Sequence, residues 1–195
     1  MITRSTKELT RLAARIRLHA ARMVGIQGFG YLGQALSAGD IFAALFGSGV
    51  LRPGNDRFVL SPGHYVVVFY AVAAELGLIS RDELTRYGLD GALLEAISTE
   101  RTPWIDIACG SLGQGLSGAI GLALASRYAN DDRHTFAFLS DGEMEEGQVW
   151  EAAMFASHHK LDNVCAIIDY NKVQENGLIK DIKGLEPLAE KWKAF

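Results

Sequence analysis

Apolar residues near the start of the chain recur at helical spacing. Leu9, Leu12, Ile16, Ala20 and Met23, with His19 among them, form one stripe, and Ser5 with Glu8 makes a capping box ahead of it. The pattern predicts an amphipathic helix of about five turns, ending in the glycine-rich residues 25–33. Ser37 followed by Asp40 predicts the N-cap of a second helix, whose apolar face is Ile41, Leu45 and Phe46. Residues 57–60 read as a short strand, and Ser61-Pro62-Gly63-His64 as a turn with proline placed for helix entry. Residues 65–78 are almost all apolar, as in a helix buried on most sides. Ser80 with Glu83 starts a further short helix, and residues 90–105 read as loop.

The second half changes period. A short strand is predicted at 105–109, a glycine loop at 110–115, a small-residue helix at 116–128, a strand at 135–139, a helix at 143–158 and a strand at 164–169. Strands alternating with helices predict an α/β fold, a parallel sheet flanked by helices. The length suits one domain over 1–195, and Phe195 follows no closing element, as in a C-terminally incomplete domain. The net charge of −4 is spread along the chain, and without a run of Lys and Arg no nucleic-acid partner is expected. Residues 107–126 carry no charge, but five glycines, three serines and Gln114 make a spanning helix unsuitable, so no membrane partner is expected. The start of the chain, Met1 to Arg4, shows no targeting pattern. Cys109 and Cys165 sit among apolar neighbours and read as reduced core thiols of a cytoplasmic protein.

Two stretches match G-x-G-x-x-G. The first, Gly28 to Gly33, follows a helix and reads as an interhelix loop. The second, Gly113 to Gly118, follows a predicted strand and opens a helix, where backbone N–H groups would face a diphosphate. A nicotinamide-binding unit is one reading of it, and glycines for close packing another. Asp141 and Asn171 each close a predicted strand. If those strands are parallel neighbours, a carboxylate and an amide oxygen stand side by side, hard donors suited to Mg²⁺ or Ca²⁺. A helix N-cap and a turn residue are the alternative roles.

Asp141-Gly142-Glu143 followed by Asp169-Tyr170-Asn171 resembles the thiamine-diphosphate motif. Glu146 to Ala153, Lys160 to Asn163, Gly110 to Gly115 and Leu60 to His64 resemble transketolases, in the same order. The resemblance implies the thiamine-diphosphate-binding fold, specifically its diphosphate domain. It implies Asp141, Asn171 and the main-chain carbonyl of Val173 as ligands of Mg²⁺ or Ca²⁺, and Gly110, Ser111, Leu112, Gly142 and Asn171 as cofactor contacts. His64 would lie near the diphosphate and the reacting carbons as a hydrogen bonder or proton shuttle. Glu146 and Glu151 would join two active sites across a homodimer core. The pyrimidine-binding domain and its catalytic Glu would sit on a separate chain, giving a split transketolase and most simply a heterotetramer.

The sequence also departs from that pattern. Tyr31 and Pro62 stand where a histidine and a lysine are usual, and no histidine precedes Thr102-Pro103-Trp104. These departures point away from the ordinary pentose phosphates and leave open a modified sugar or an acyloin-forming reaction. Transfer of a two-carbon ketol unit from a ketose to an aldose is the leading expectation. The first component of a 2-oxoacid dehydrogenase, a nicotinamide-dependent oxidoreductase and a non-catalytic interaction subunit are the alternatives.

Overall fold

The computed structural model describes residues 4–195. Met1, Ile2 and Thr3, part of the stretch read above for a targeting pattern, lie outside the described residues. Two compact units are present. The first runs to Gly54 and resumes over Gly63–Trp104; the second takes Asn55–Pro62 and Ile105–Phe195.

The first unit is helical. Helix α1 (Thr6–Gln27) opens with the predicted box: the Glu8 N–H donates to Ser5 Oγ (3.4 Å) and the Ser5 N–H to Glu8 Oε2 (2.8 Å). Its buried stripe, Leu12, Ile16, Ala20 and Met23, packs toward α3 (Gly39–Gly47) and α4 (Val66–Glu75). Every residue of α4 from Val66 to Ala74 is buried, as its uniform hydropathy requires. At the end of α4, Glu75 accepts from Arg15 (2.5 Å), His19 (2.8 Å) and Arg81 (3.1 Å). Residues 25–33 are not all loop: α2 (Leu32–Ser37) begins among the glycines. Ser37 is therefore the end of a helix rather than an N-cap. Ala38 alone joins α2 to α3 in right-handed conformation, leaving no extended residue to carry a cap, and Asp40 pairs with Arg17 (2.5 Å). Ser80 does cap, accepting from the Asp82 N–H (3.3 Å), though the turn that follows, Arg81–Arg86, is a 3-10 helix.

The second unit contains the expected parallel sheet. Strands β1 (Arg57–Leu60), β2 (Thr135–Ser140) and β3 (Val164–Asp169) lie in that order, with β2 central and wholly buried. Helices α5 (Gly115–Tyr128) and α6 (Gly147–His158) pack with them; Ala119, Ala123 and Ala152 let the backbones come close. An antiparallel hairpin, β4 (Val173–Gln174) and β5 (Gly177–Leu178), leads into α7 (Ile179–Ile182) and α8 (Leu188–Lys193).

Three expectations fail here. Residues 105–109 are not a strand. The Asp106 N–H reaches Phe58 O (3.0 Å), but the Phe58 N–H goes to the Asp106 carboxylate (2.8 Å), so a side chain takes the donor a ladder carbonyl would have used. The helix predicted from 143 starts at Gly147, because Gly142–Glu145 winds as a 3-10 turn and Glu146 is extended. Cys165 is exposed on edge strand β3, whereas Cys109 is a core thiol pushed up to about 11 by burial and the nearby charge of Glu143. Among the described residues no helix is long and apolar enough to cross a membrane.

Candidate cofactor and metal site

Parallel pairing in the second unit sets Ser140 opposite Asp169, so the chain leaves β2 and β3 at the same level. Asp141 and Asn171 follow directly on these strand ends, where open α/β sheets present ligand sites. The Asp141 N–H donates to Asp169 O (3.3 Å). Asp141 is 1 % exposed; Oδ1 accepts the Gly142 N–H (2.9 Å) and Oδ2 the Lys172 N–H (2.5 Å). Lys172 turns its N–H inward by adopting φ 68°. Asn171 is oriented at both ends of its amide: Oδ1 accepts the Val173 N–H (2.9 Å) and Nδ2 donates to Asp169 (3.2 Å). The pairing of strand ends foreseen from spacing is present.

Burial raises the Asp141 carboxyl above its ordinary range, against the two N–H donors, and the charge of Asp169 adds to the rise. Such a group remains ionised when a cation joins it. One carboxylate, one amide oxygen and main-chain oxygens are the hard donors that Mg²⁺ or Ca²⁺ takes, with positions left for phosphate and water. Among the described residues no three His, Cys, Asp or Glu side chains cluster as a metal site. The residues present fit a metal-bound diphosphate. Gly142 adds space there: a Cβ would meet only Gln174, at 3.2 Å.

The glycine loop differs from its sequence reading. The Gly113 N–H donates to Glu143 (2.7 Å) and the Gly115 N–H to Ser61 Oγ (3.1 Å). Both donors are taken by the protein itself: a carboxylate accepts the Gly113 N–H, two residues before α5, and a hydroxyl accepts the N–H of the first residue of α5. With no strand before the loop and no free amides at Gly113 and Gly115, the two conditions for a nicotinamide-binding unit are absent. Gly110 and Ser111 are exposed and Leu112 half-buried, on the stretch leading into that loop. Glu146 is the exposed N-cap of α6, its Cβ against Gly113, while Glu151 is exposed one turn along. Glu151 lines a groove of about 340 Å³ with Ser117, Ile120, Leu124, Ala152 and Phe155.

His64 belongs to the first unit, in the 3-10 turn Gly63–Tyr65. Its ring centroid is 5.1 Å from that of Tyr31 and 5.1 Å from that of the adjacent Tyr65. Tyr31 is thus a neighbour of His64, and it is 42 % exposed. Thr102 is buried and accepts the Thr99 N–H (2.9 Å).

The model of the transketolase thiamine-diphosphate-binding domain matches residues 9–195. The chain belongs to the transketolase family. It is 42% identical over 94% of its length to a transketolase family protein of Sinorhizobium fredii, spanning 68% of that relative. It is 39% identical over 96% of its length to the 6-deoxy-6-sulfo-D-fructose transketolase subunit of Clostridium sp. (strain MSTE9), spanning 71% of it. The crystal structure of Campylobacter jejuni transketolase superposes with a TM-score of 0.88 at 27% identity, over 98% of this chain and 32% of that one. The chain thus spans about a third of that transketolase's length and about two thirds of the two relatives. These matches support the transketolase reading over a 2-oxoacid dehydrogenase component, an oxidoreductase or a non-catalytic subunit.

Sequence reasoning missed Glu143, Ser61 and Lys172. Glu143 stands at the start of the predicted helix, and nothing adjacent to it in sequence points to its partners. Ser61 meets it only through the sheet, across 82 residues of chain. Lys172 acts through its backbone, which its side-chain identity does not reveal.

Proposed function

We propose that this chain is the diphosphate-binding subunit of a thiamine-diphosphate- and Mg²⁺-dependent transketolase-like enzyme. It would transfer a two-carbon ketol unit from a ketose phosphate or modified sugar to an aldose. The observation carrying the reading is the buried Asp141 carboxylate beside Asn171 at two adjacent strand ends, with no cationic side chain among the described residues paired to it. Asp141, Asn171 and the carbonyl of Val173 would hold Mg²⁺, with Ca²⁺ as a substitute of similar chemistry. Gly142 and Asn171 would receive the diphosphate, and Gly110, Ser111 and Leu112 the adjoining part of the cofactor. Bound there, thiamine diphosphate would supply a nucleophilic carbon for chemistry at the sugar carbonyl.

The chain's own residues bind, orient and move protons. His64 is the candidate catalytic residue, its ring nitrogen exchanging a proton with a sugar hydroxyl while Tyr31 and Tyr65 hold the ring in place. Tyr31 narrows the choice of sugar, and a modified sugar is favoured because a relative's name specifies one. Glu146 and Glu151 would meet a second copy of the chain, and the apolar groove beside Glu151 supports that homodimer core. A separate C-terminal subunit carrying the pyrimidine domain and catalytic Glu completes a heterotetramer; the word subunit in that relative's name supports it. Cys109 and Cys165 suit a reducing cytoplasm.

The test is mass spectrometry of the cofactor retained by this chain co-purified with its partner in Mg²⁺, compared with Asp141→Ala. Thiamine diphosphate kept by the wild type and lost from the variant supports the reading. Equal retention by the variant, or a nicotinamide nucleotide in its place, overturns it.

A further inference from the structure

Glu143 is a carboxylate with none of its surface exposed, and nothing proposed above uses it. Its Oε1 accepts two donors at once, the Ser61 hydroxyl and the Gly113 N–H. Its Oε2 faces the Ser140 N–H (3.4 Å), and its own N–H donates to Ser140 Oγ (3.3 Å). Ser61 relays the connection by accepting the Gly115 N–H (3.1 Å). One carboxylate therefore ties the end of β1, the end of β2 and both glycines at the start of α5.

The fit leaves no slack. Gly113 sits at φ 86°, where a Cβ would come within 2.8 Å of Glu146, and a Cβ on Gly115 would come within 2.4 Å of Ser61. Residues 110–112 lead directly into this anchored point, and among the described residues no hydrogen bond holds them.

We infer that Glu143 is a positioning residue: it fixes residues 110–115 from behind, in the shape that receives the cofactor, without touching the cofactor. The inference rests on the assignment of Gly110, Ser111 and Leu112 as cofactor contacts.

The test uses the chain co-expressed with its partner subunit, as wild type, Glu143→Ala, Glu143→Gln and Ser61→Ala. Two quantities are read: hydrogen exchange of the peptide spanning residues 110–115 without cofactor, and the dissociation constant of thiamine diphosphate in Mg²⁺ by calorimetry. Glu143→Ala and Ser61→Ala are expected to weaken binding by about tenfold or more, the range seen when a group supporting a ligand contact is removed. Exchange should rise in that peptide while peptides of the first unit stay as in the wild type. Glu143→Gln keeps an oxygen for the same two bonds but turns an amide N–H toward the Ser140 N–H, so it should bind more weakly than wild type and clearly more tightly than Glu143→Ala. Wild-type affinity in a variant whose loop exchange has risen overturns the inference, as does a Gln variant as weak as the Ala variant. Should Glu143→Ala fail to fold, Ser61→Ala decides the matter alone. A wild type that binds no thiamine diphosphate overturns the functional reading itself; a wild type that binds, with variants that bind equally, overturns only the role of Glu143.

Discussion

Gly115→Ala puts a methyl group where the structure has no room for one. The added Cβ would lie 2.4 Å from the Ser61 Cβ and Oγ and 2.6 Å from its Cα. The last of these is backbone, so a side-chain rotation cannot relieve the clash. Overpacking of this kind costs about 1–3 kcal/mol. The displacement also breaks the hydrogen bond from Gly115 N–H to Ser61, a loss of about 0.5–1.5 kcal/mol. Alanine returns at most about 1 kcal/mol through its helix preference, which leaves a net loss of about 1–3 kcal/mol. With a urea slope of about 2 kcal/mol per molar, the unfolding midpoint falls by roughly 0.5–1.5 M. Tryptophan fluorescence suits the measurement, because Trp150 and Trp192 pack together in the second unit. Gly25→Ala is the control: it lies within α1, is exposed, and its Cβ would meet nothing within 4 Å. That variant should match the wild type or gain up to about 1 kcal/mol. Equal midpoints for Gly115→Ala and Gly25→Ala would refute the account of the α5 start.

Three further predictions concern other parts of the molecule. Burial alone would raise Glu75, but hydrogen bonds from Arg15 and His19 and the charges of Arg15 and Arg81 outweigh it and hold the carboxyl below its ordinary value. The native state then binds fewer protons than the unfolded one, so this stabilisation is present above the ordinary carboxylate range and is lost as the pH falls through the lowered value; Glu75→Gln should flatten the acid limb of a stability–pH curve measured in urea. Phe138→Ala removes a fully buried ring from the central strand and should cost about 3–5 kcal/mol, read as a lower urea midpoint. Phe155→Glu places a charge in the groove beside Glu151 and should shift the mass measured by light scattering toward the monomer; an unchanged mass would remove that groove from the homodimer core.

The parts legible in sequence were those where one local signal dominates. The Ser5–Glu8 box, the all-apolar α4 and the run of β2 are each set by a few adjacent residues, and all three are present. The placement of Asp141 beside Asn171 was legible because parallel pairing follows from the strand–helix alternation. What escaped depended on partners distant along the chain. Residues 105–109 have a strand's composition, yet Asp106 diverts the donor of Phe58. Residues 143–146 have a helix's composition, yet Glu143 is drawn into the Ser61 and Gly113 bonds and the helix begins later. Helix α2 was hidden by glycines that, at Gly33, sit without strain inside a helical turn.

The register of β2 against β3 also has a consequence for biogenesis. Asp141 and Asn171 come level only because Ser140 pairs with Asp169. A slip of one residue would turn the side chains of β3 to the opposite face and carry Asn171 out of step with Asp141. On the proposed reading of the site, a chain folded in the slipped register could not present both groups to one ligand, and it would be left unloaded.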